Sequence, residues 1–298
     1  MDAPLVVSNL TKRYDAVTAV DGLSFEVHEG EVFGLLGPNG AGKTTTIRIA
    51  MGIFDGDEGS VSVLGGRPDA ARRRVGYLPE ERGLYRDLKV LEALTYLAEL
   101  KGVPRNTASE RALSWLERVD LGEWAQRPVH DLSRGMQQKV QFVACLVHDP
   151  DLLILDEPFQ GLDPVNVEVL NDLIRELQAQ GKTIVLSAHE MSLVEALCDR
   201  IVLISRGRSV LYGSLDEIKR RYAKDAVRVR TDASLAGFPG VAGVEEREGV
   251  QIVTLDGATP QDLLATLVAR RVPVQAFEVA TMPLQEVFVR VVRGENGE

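Results

Sequence analysis

Basic charge, cysteine and long apolar runs are all scarce in this chain, and each scarcity narrows what it can be. Its 34 Lys and Arg stand against 44 Asp and Glu, a net charge of −10 over 298 residues, with a pI near 5.1. Without a basic field to attract phosphate backbones, nucleic acid is not an expected partner. The two cysteines, Cys145 and Cys198, lie far apart in apolar surroundings. They have neither metal-ligand spacing nor a disulfide framework, and read as buried thiols of a reducing compartment. The longest apolar run, Val140–Val147, is interrupted by Gln141 and falls short of the ~20 residues of a membrane-spanning helix. The start, Met-Asp-Ala-Pro, carries no secretory signal pattern. The expectation is a soluble, cytoplasmic protein with one large domain and a smaller one. Any membrane pore would belong to another chain.

What the chain does contain is a phosphate cradle. Residues 37–44, Gly-Pro-Asn-Gly-Ala-Gly-Lys-Thr, follow the pattern G-x-x-x-x-G-K-[ST] between a predicted strand, Glu31–Leu36, and a predicted helix, Thr45–Met51. The glycines let backbone N–H groups converge on phosphate oxygens, and the helix N-terminus adds the positive end of its dipole. Lys43 is placed to reach the β- and γ-phosphates, and Thr44 to put its hydroxyl on Mg²⁺. Downstream, Leu152–Leu155 is a short apolar run ending in Asp156-Glu157. It reads as a strand buried on both faces of a parallel sheet, with its acids at the end where ligands bind in open α/β sheets. Asp156 would hold Mg²⁺ directly or through water. Glu157 is the natural base or water-orienting group for attack on the γ-phosphate.

Ahead of that strand stands Leu132-Ser133-Arg134-Gly135-Met136-Gln137-Gln138-Lys139. Alone, Ser-x-Gly before an apolar-periodic segment is an ordinary helix N-cap. At this spacing it resembles the LSGGQ signature of ATP-binding-cassette (ABC) ATPases, and the resemblance spans about residues 4–222. It implies an α/β P-loop NTPase fold over residues 1–223, with a parallel sheet core, an antiparallel β subdomain and a helical subdomain at about 85–148. It implies ATP and Mg²⁺ as cofactors, with Gly37, Asn39, Gly40, Gly42, Lys43, Thr44 and Thr45 on the phosphates. Tyr14 stands where the family stacks a ring on adenine, a π-face that suits any base; the alternative is a Tyr packed on a sheet edge. Gly161-Leu162-Asp163 matches the loop that crosses to a partner subunit, bringing Asp163 to the nucleotide. Ser187-Ala188-His189 follows the apolar strand Thr183–Leu186, where the family places a switch histidine. His189, Glu157 and Lys43 are then the catalytic set. Ser133 and Gly135 would reach the ATP held by a second copy, which implies an ATP-dependent homodimer. A permease on a separate chain would hold the subunit at the inner face of the cell membrane, docking near Glu80 and Tyr85.

Two departures from the family pattern bear on the site. Tyr77-Leu78-Pro79 is followed by Glu80 where the family has Gln; Glu80 joins Thr44 and Asp156 as a candidate Mg²⁺ ligand while adding negative charge near the phosphates. In the signature, Arg134 and Met136 replace Gly and Gln. Arg134 either contacts phosphate or lies on a solvated face.

Between Glu80 and Ser133, the positions Val90, Leu91, Leu94, Leu97 and Ala98 recur at helical spacing. Thr107-x-x-Glu110 predicts a capping box opening a second helix through Val119. Residues 224–298 leave the ATPase pattern. Val227–Arg230 and Val250–Leu255 read as strands, the latter after a turn at Glu248-Gly249. Thr259-Pro260 opens a helix with Leu263, Leu264, Leu267 and Val268 on one face. Val272–Val279 reads as a strand, and Leu284, Val287, Phe288 and Val291 form the stripe of a last helix. The expectation is a small α+β domain of ferredoxin-like order, a packing or dimer-supporting appendage or a regulatory one. Together with Gly76–Tyr85 and Leu284–Phe288, the whole resembles ATPase subunits of prokaryotic sodium, antibiotic or multidrug efflux systems. Two readings compete with export: a cassette ATPase acting as a nucleotide-gated switch on a membrane partner, and a P-loop kinase, which leaves the signature and His189 unexplained.

Overall fold

The structure is a computed structural model that describes residues 3–81, 83–223, 226–247 and 249–292. The chain packs as two compact units, Met1–Tyr212 and Gly213–Glu298. The boundary expected at 223/224 involves Lys224, which lies outside the described residues.

The first unit opens with β1 (Leu5–Tyr14) and β2 (Val17–Val27), then β3 (Val32–Leu36), α1 (Lys43–Ala50) and β4 (Glu58–Val63). Strands β2, β1 and β4 form an antiparallel sheet in that order. A single turn, α2 (Pro68–Ala71), and β5 (Val75–Leu78) lead into the helices α3 (Val90–Leu100), α4 (Arg105–Arg118) and α5 (Arg134–Leu146). The chain then alternates through β6 (Leu152–Asp156), α6 (Pro164–Ala179), β7 (Thr183–Ala188), α7 (Met191–Leu197), β8 (Arg200–Ser205) and β9 (Arg208–Ser214). These strands build a six-stranded sheet, β5-β6-β7-β3-β8-β9, parallel from β5 through β8. Every residue of β3, β6 and β7 is buried, as expected of strands covered on both faces.

Two glycines set close approaches here. A Cβ on Gly76 in β5 would collide with the Cys145 carbonyl of α5, so only glycine lets α5 lie this close to the sheet. In β3, a Cβ on Gly34 would stand 3.0 Å from the Cys198 sulfur. Both cysteines are buried and unpaired, and burial raises the thiol of Cys145 to about 12. They behave as inert apolar fillers.

The second unit contains α8 (Leu215–Tyr222), β10 (Ala226–Arg230), β11 (Val241–Arg247), β12 (Val250–Leu255), α9 (Pro260–Ala269), β13 (Ala276–Val279) and α10 (Leu284–Val292). Its sheet runs β11-β12-β10-β13, antiparallel throughout. In chain order this is 4-1-3-2 reversed, the strand arrangement of a ferredoxin-like sheet. The crossover from β10 to β11 departs from that fold: residues 231–240 form turns, not a helix. The segment Thr231-Asp-Ala-Ser-Leu-Ala-Gly-Phe-Pro-Gly240 carries two glycines and a proline, too many breakers for three helical turns, and Leu235 alone is fully buried from it. Val227, Val229, Val253, Leu255, Leu263 and Leu267 complete this small core with Leu235.

Three elements differ locally from what the sequence pattern predicts. Helix α4 begins at Arg105 with Pro104 as N-cap and no side-chain cap, so Thr107 sits inside the first turn and forms no capping box. The Pro104 carbonyl accepts from Ala108 N–H at 2.8 Å, starting the helix early. On α9 only Leu263 and Leu267 are buried, while Leu264 and Val268 are exposed, because one sheet face covers a single stripe. The strand expected from Val272 begins at Ala276: Pro273 has no N–H to give a ladder. Glu248 of the expected turn lies outside the described residues. Among the described residues no helix is long and apolar enough to cross a membrane.

Candidate functional site

The parallel register brings the expected residues to one edge of the six-stranded sheet. Leu36 pairs with Ala188, and Asp156 pairs with Ser187, so the loops after β3, β6 and β7 emerge side by side at the strands' carboxyl ends. The 37–42 loop winds through left-handed backbone at Gly37, Gly40 and Gly42. A Cβ at Gly37 would strike the Ile204 carbonyl, and one at Gly42 the Ala19 carbonyl, so these two positions demand glycine for space as well as for φ. Gly42 is the N-cap of α1, and no side chain caps it. The N–H groups of that first turn therefore face the loop without a side-chain acceptor, an anion site in the making. Thr44 and Thr45 are half-buried in the same turn, whereas Asn39 and Gly40 are exposed on the loop.

Lys43 is buried, and its Nζ donates to the Gly37 carbonyl at 2.8 Å. The same ammonium lies 3.6 Å from Glu157 Oε1. The other carboxylate oxygen of Glu157, Oε2, is 2.8 Å from His189 Nδ1. Glu157 thus spans from the loop lysine to the histidine, with Glu157 buried and His189 exposed. Its own backbone is left-handed at φ 50°, a conformation that costs a non-glycine residue about 1–3 kcal/mol and is held only by its surroundings. Asp156 is 1 % exposed. Its Oδ1 accepts from Ser187 Oγ at 2.6 Å, while Oδ2 has no hydrogen-bond partner. Burial holds its carboxyl above the usual range; the Ser187 and Thr44 hydroxyls oppose this, the Glu157 charge adds to it and the Lys43 charge opposes it. A buried oxygen without a donor, close to a threonine hydroxyl, is suited to a hard cation with oxygen ligands.

The signature segment lies elsewhere. Ser133 is the N-cap of α5, its oxygen accepting from Met136 N–H at 3.3 Å. Gly135 faces Asn166, where a Cβ would stand 3.3 Å from Nδ2. Asn166 is in turn held by Asp163, the N-cap of α6, whose two carboxylate oxygens accept its backbone and side-chain N–H at 3.0 and 2.6 Å. Among the described residues no hydrogen bond links Ser133 or Gly135 to the 37–45 loop.

Known proteins match both units. The ABC transporter family profile covers residues 20–160. A second, the C-terminal domain of DrrA1-3-like ATP-binding proteins, covers residues 213–292. An uncharacterized ABC transporter ATP-binding protein, YhaQ of Bacillus subtilis (strain 168), is 40 % identical over 294 residues, 97 % of this chain and 98 % of its own. The chain belongs to the ABC transporter ATP-binding proteins. The Nod factor export ATP-binding protein I of Ralstonia nicotianae is 40 % identical over 88 % of this ABC ATPase and 84 % of its own length. The ATP-binding cassette MJ0796, solved as a post-hydrolysis dimer with ADP and Pi, superposes with a TM-score of 0.66 at 25 % identity, over 71 % of this chain and 98 % of that one.

In this ABC ATPase the remaining expected residues are placed as follows. Tyr14, at the end of β1, is 44 % exposed and meets Phe54 edge-to-face at 6.3 Å, with Lys12 Nζ 5.6 Å from its ring centre. It is braced and partly open to solvent. Glu80 is exposed two residues beyond β5, whose last residue Leu78 pairs with Leu155 beside Asp156. Arg134 is exposed at the first turn of α5. Tyr85 is exposed and packs edge-to-face on Tyr96 of α3 at 5.5 Å.

Sequence reasoning gave no role to two residues. Gln138 is buried and donates to the Pro158 carbonyl at 3.0 Å, tying α5 to the loop after Glu157. Ser187, fully buried, contacts both acidic residues. Its only sequence signal was a hydroxyl at the end of an otherwise apolar strand.

Proposed function

We propose that this chain is the ATP-hydrolysing subunit of an ABC export system, closing as a homodimer around two ATP–Mg²⁺ to drive a transmembrane permease on a separate chain. The observation that carries this reading is the Lys43–Glu157–His189 chain of contacts laid beside the glycine cradle. Gly37, Asn39, Gly40, Gly42, Lys43, Thr44 and Thr45 would bind the phosphates through loop and first-turn N–H groups, the ammonium and the hydroxyls. Tyr14 would stack on the base. Glu157 would orient and deprotonate the attacking water, and His189, within hydrogen-bond distance of it, would fix that carboxylate and contact the γ-phosphate.

Thr44 and the free Oδ2 of Asp156 would hold Mg²⁺, with Glu80 as a further candidate from the neighbouring strand end. Bound there, the cation neutralises phosphate charge and polarises the γ-phosphoryl group. Ser133 and Gly135 at the start of α5, the latter facing the Asn166 that Asp163 holds, would with Asp163 serve the nucleotide of a second copy. The dimeric ADP–Pi form of MJ0796 supports that reading, and the Nod factor relative supports export. The permease would hold the subunit at the cytoplasmic face. By the extent of the motifs we assign residues 1–223 to the ATPase domain, about 85–148 to its helical part and 224–298 to an appended domain, with α8 at the end of the first packing in the second compact unit.

The test is Glu157→Gln examined by light scattering. With Mg-ATP the variant should shift from monomer to dimer while turnover falls about 100-fold or more. A protein that binds ATP and stays monomeric would remove the sandwich from the proposal.

A further inference from the structure

The loop from Asp156 to Gln160 has an unusual demand placed on it. Two consecutive carboxylates must face one ligand, yet successive side chains leaving a strand point to opposite faces. The chain meets the demand by turning left-handed at Glu157, φ 50°. Backbone in this region persists only when its surroundings over-determine it, and one side chain supplies that constraint on both acids. Ser187 Oγ accepts the Glu157 N–H at 2.9 Å and donates to Asp156 Oδ1 at 2.6 Å. The hydroxyl has a single proton, so its direction is settled: donor to Asp156, acceptor from Glu157. Ser187 is 0 % exposed on β7, opposite Asp156 in the parallel register, where no water can substitute for it.

The consequence for Asp156 is orientational. With Oδ1 engaged by Ser187, the carboxylate cannot rotate freely, and Oδ2 is left buried and without a partner. For Glu157 the consequence is conformational, because the same hydroxyl pins the N–H of the left-handed residue whose carboxylate touches His189 and neighbours Lys43.

We propose that Ser187 is a positioning residue of the ATPase site. It presents Asp156 Oδ2 to the cation and locks the left-handed turn that aims Glu157 at the reacting water. This rests on the roles given above to Asp156 and Glu157 and deepens them. Outer-shell partners of this kind alter metal affinity or activity by about 10–100-fold when removed.

The experiment uses the full chain with Ser187→Ala, Ser187→Cys and Ser187→Thr, and Asp156→Asn as the reference. Mn²⁺ affinity is measured by electron paramagnetic resonance with a non-hydrolysable ATP analogue, and ATP affinity separately in EDTA. The Ala and Cys variants should weaken Mn²⁺ about 10-fold and lower kcat about 10–100-fold, with EDTA-ATP affinity within about twofold of wild type. Thr, which keeps the hydroxyl, should retain Mn²⁺ affinity. Should Ala fail to fold, Cys carries the test, since it preserves volume but donates weakly. Wild-type Mn²⁺ affinity in Ala or Cys, or a loss of ATP affinity in EDTA equal to the loss of Mn²⁺ affinity, overturns the proposal. Wild-type Mn²⁺ affinity in Asp156→Asn overturns instead the metal role of Asp156 on which it stands.

Discussion

At the scale of single residues, some titratable groups serve the site and others only the fold, and His148 is among the latter. His148 follows α5, and its Nε2 donates to the Val75 carbonyl at 3.1 Å while Nδ1 is buried with no partner. Burial and then the Lys101 charge lower its pKa to about 4, because a proton on Nδ1 would find no acceptor. An unfolded histidine titrates near ~6.5. Between these values the unfolded chain binds more protons than the native one, so stability rises with pH across the window. It is fully present above about pH 6.5 and is lost as pH falls toward 4, a change of about 3 kcal/mol. Replacing His148 with Gln, which keeps a donor for Val75 but does not titrate, should flatten the difference in urea-unfolding free energy between pH 7.5 and pH 5. A variant with the wild-type slope would show that other groups carry it. Sequence patterning gave His148 no role, since burial and a missing acceptor are properties of the packed state. His189 was legible because it follows an apolar strand.

At the scale of elements, two threonines with similar sequence patterns ended differently. Thr259 caps α9 in a reciprocal box, its oxygen accepting Asp262 N–H while the Asp262 carboxylate accepts Thr259 N–H. Thr107 does nothing of the kind, being inside α4. Thr259→Ala should cost about 1 kcal/mol and lower the melting transition of the C-terminal unit by about 4–8 °C in calorimetry. Thr107→Ala should leave the first unit's transition within about 0.5 kcal/mol of wild type. The difference lies in where the proline stands: Pro260 follows Thr259 as the first helical residue, while Pro104 precedes Thr107 by three and starts its helix first. The parallel strands were easier to read. Continuous apolar runs such as Leu152–Leu155 need cover on both faces, and only the interior of an α/β sheet supplies it.

At the scale of the whole molecule, the first compact unit ends at Tyr212 and the second begins at Gly213. Helix α8 falls in the second unit. Leu215, Ile218 and Tyr222 are buried, and α8 packs on α10, so its apolar stripe belongs to the C-terminal unit. A chain ending at Ser214 should remain monodisperse on gel filtration and bind ATP within about twofold of the full chain. One ending at Ala223 carries the three apolar residues without their cover and should aggregate more. Insoluble, nucleotide-free product from both would mean that the ATPase unit does not stand alone.

The sequence by itself determined the phosphate loop, the acidic strand end, the histidine and the family, because each rests on short-range spacing that local geometry converts directly into placement. Left to the tertiary structure were which oxygen of Asp156 is free, the left-handed turn at Glu157 and the bridging role of Ser187. These depend on pairing residues about thirty positions apart across parallel strands, and no local pattern encodes a register that only the packed sheet fixes.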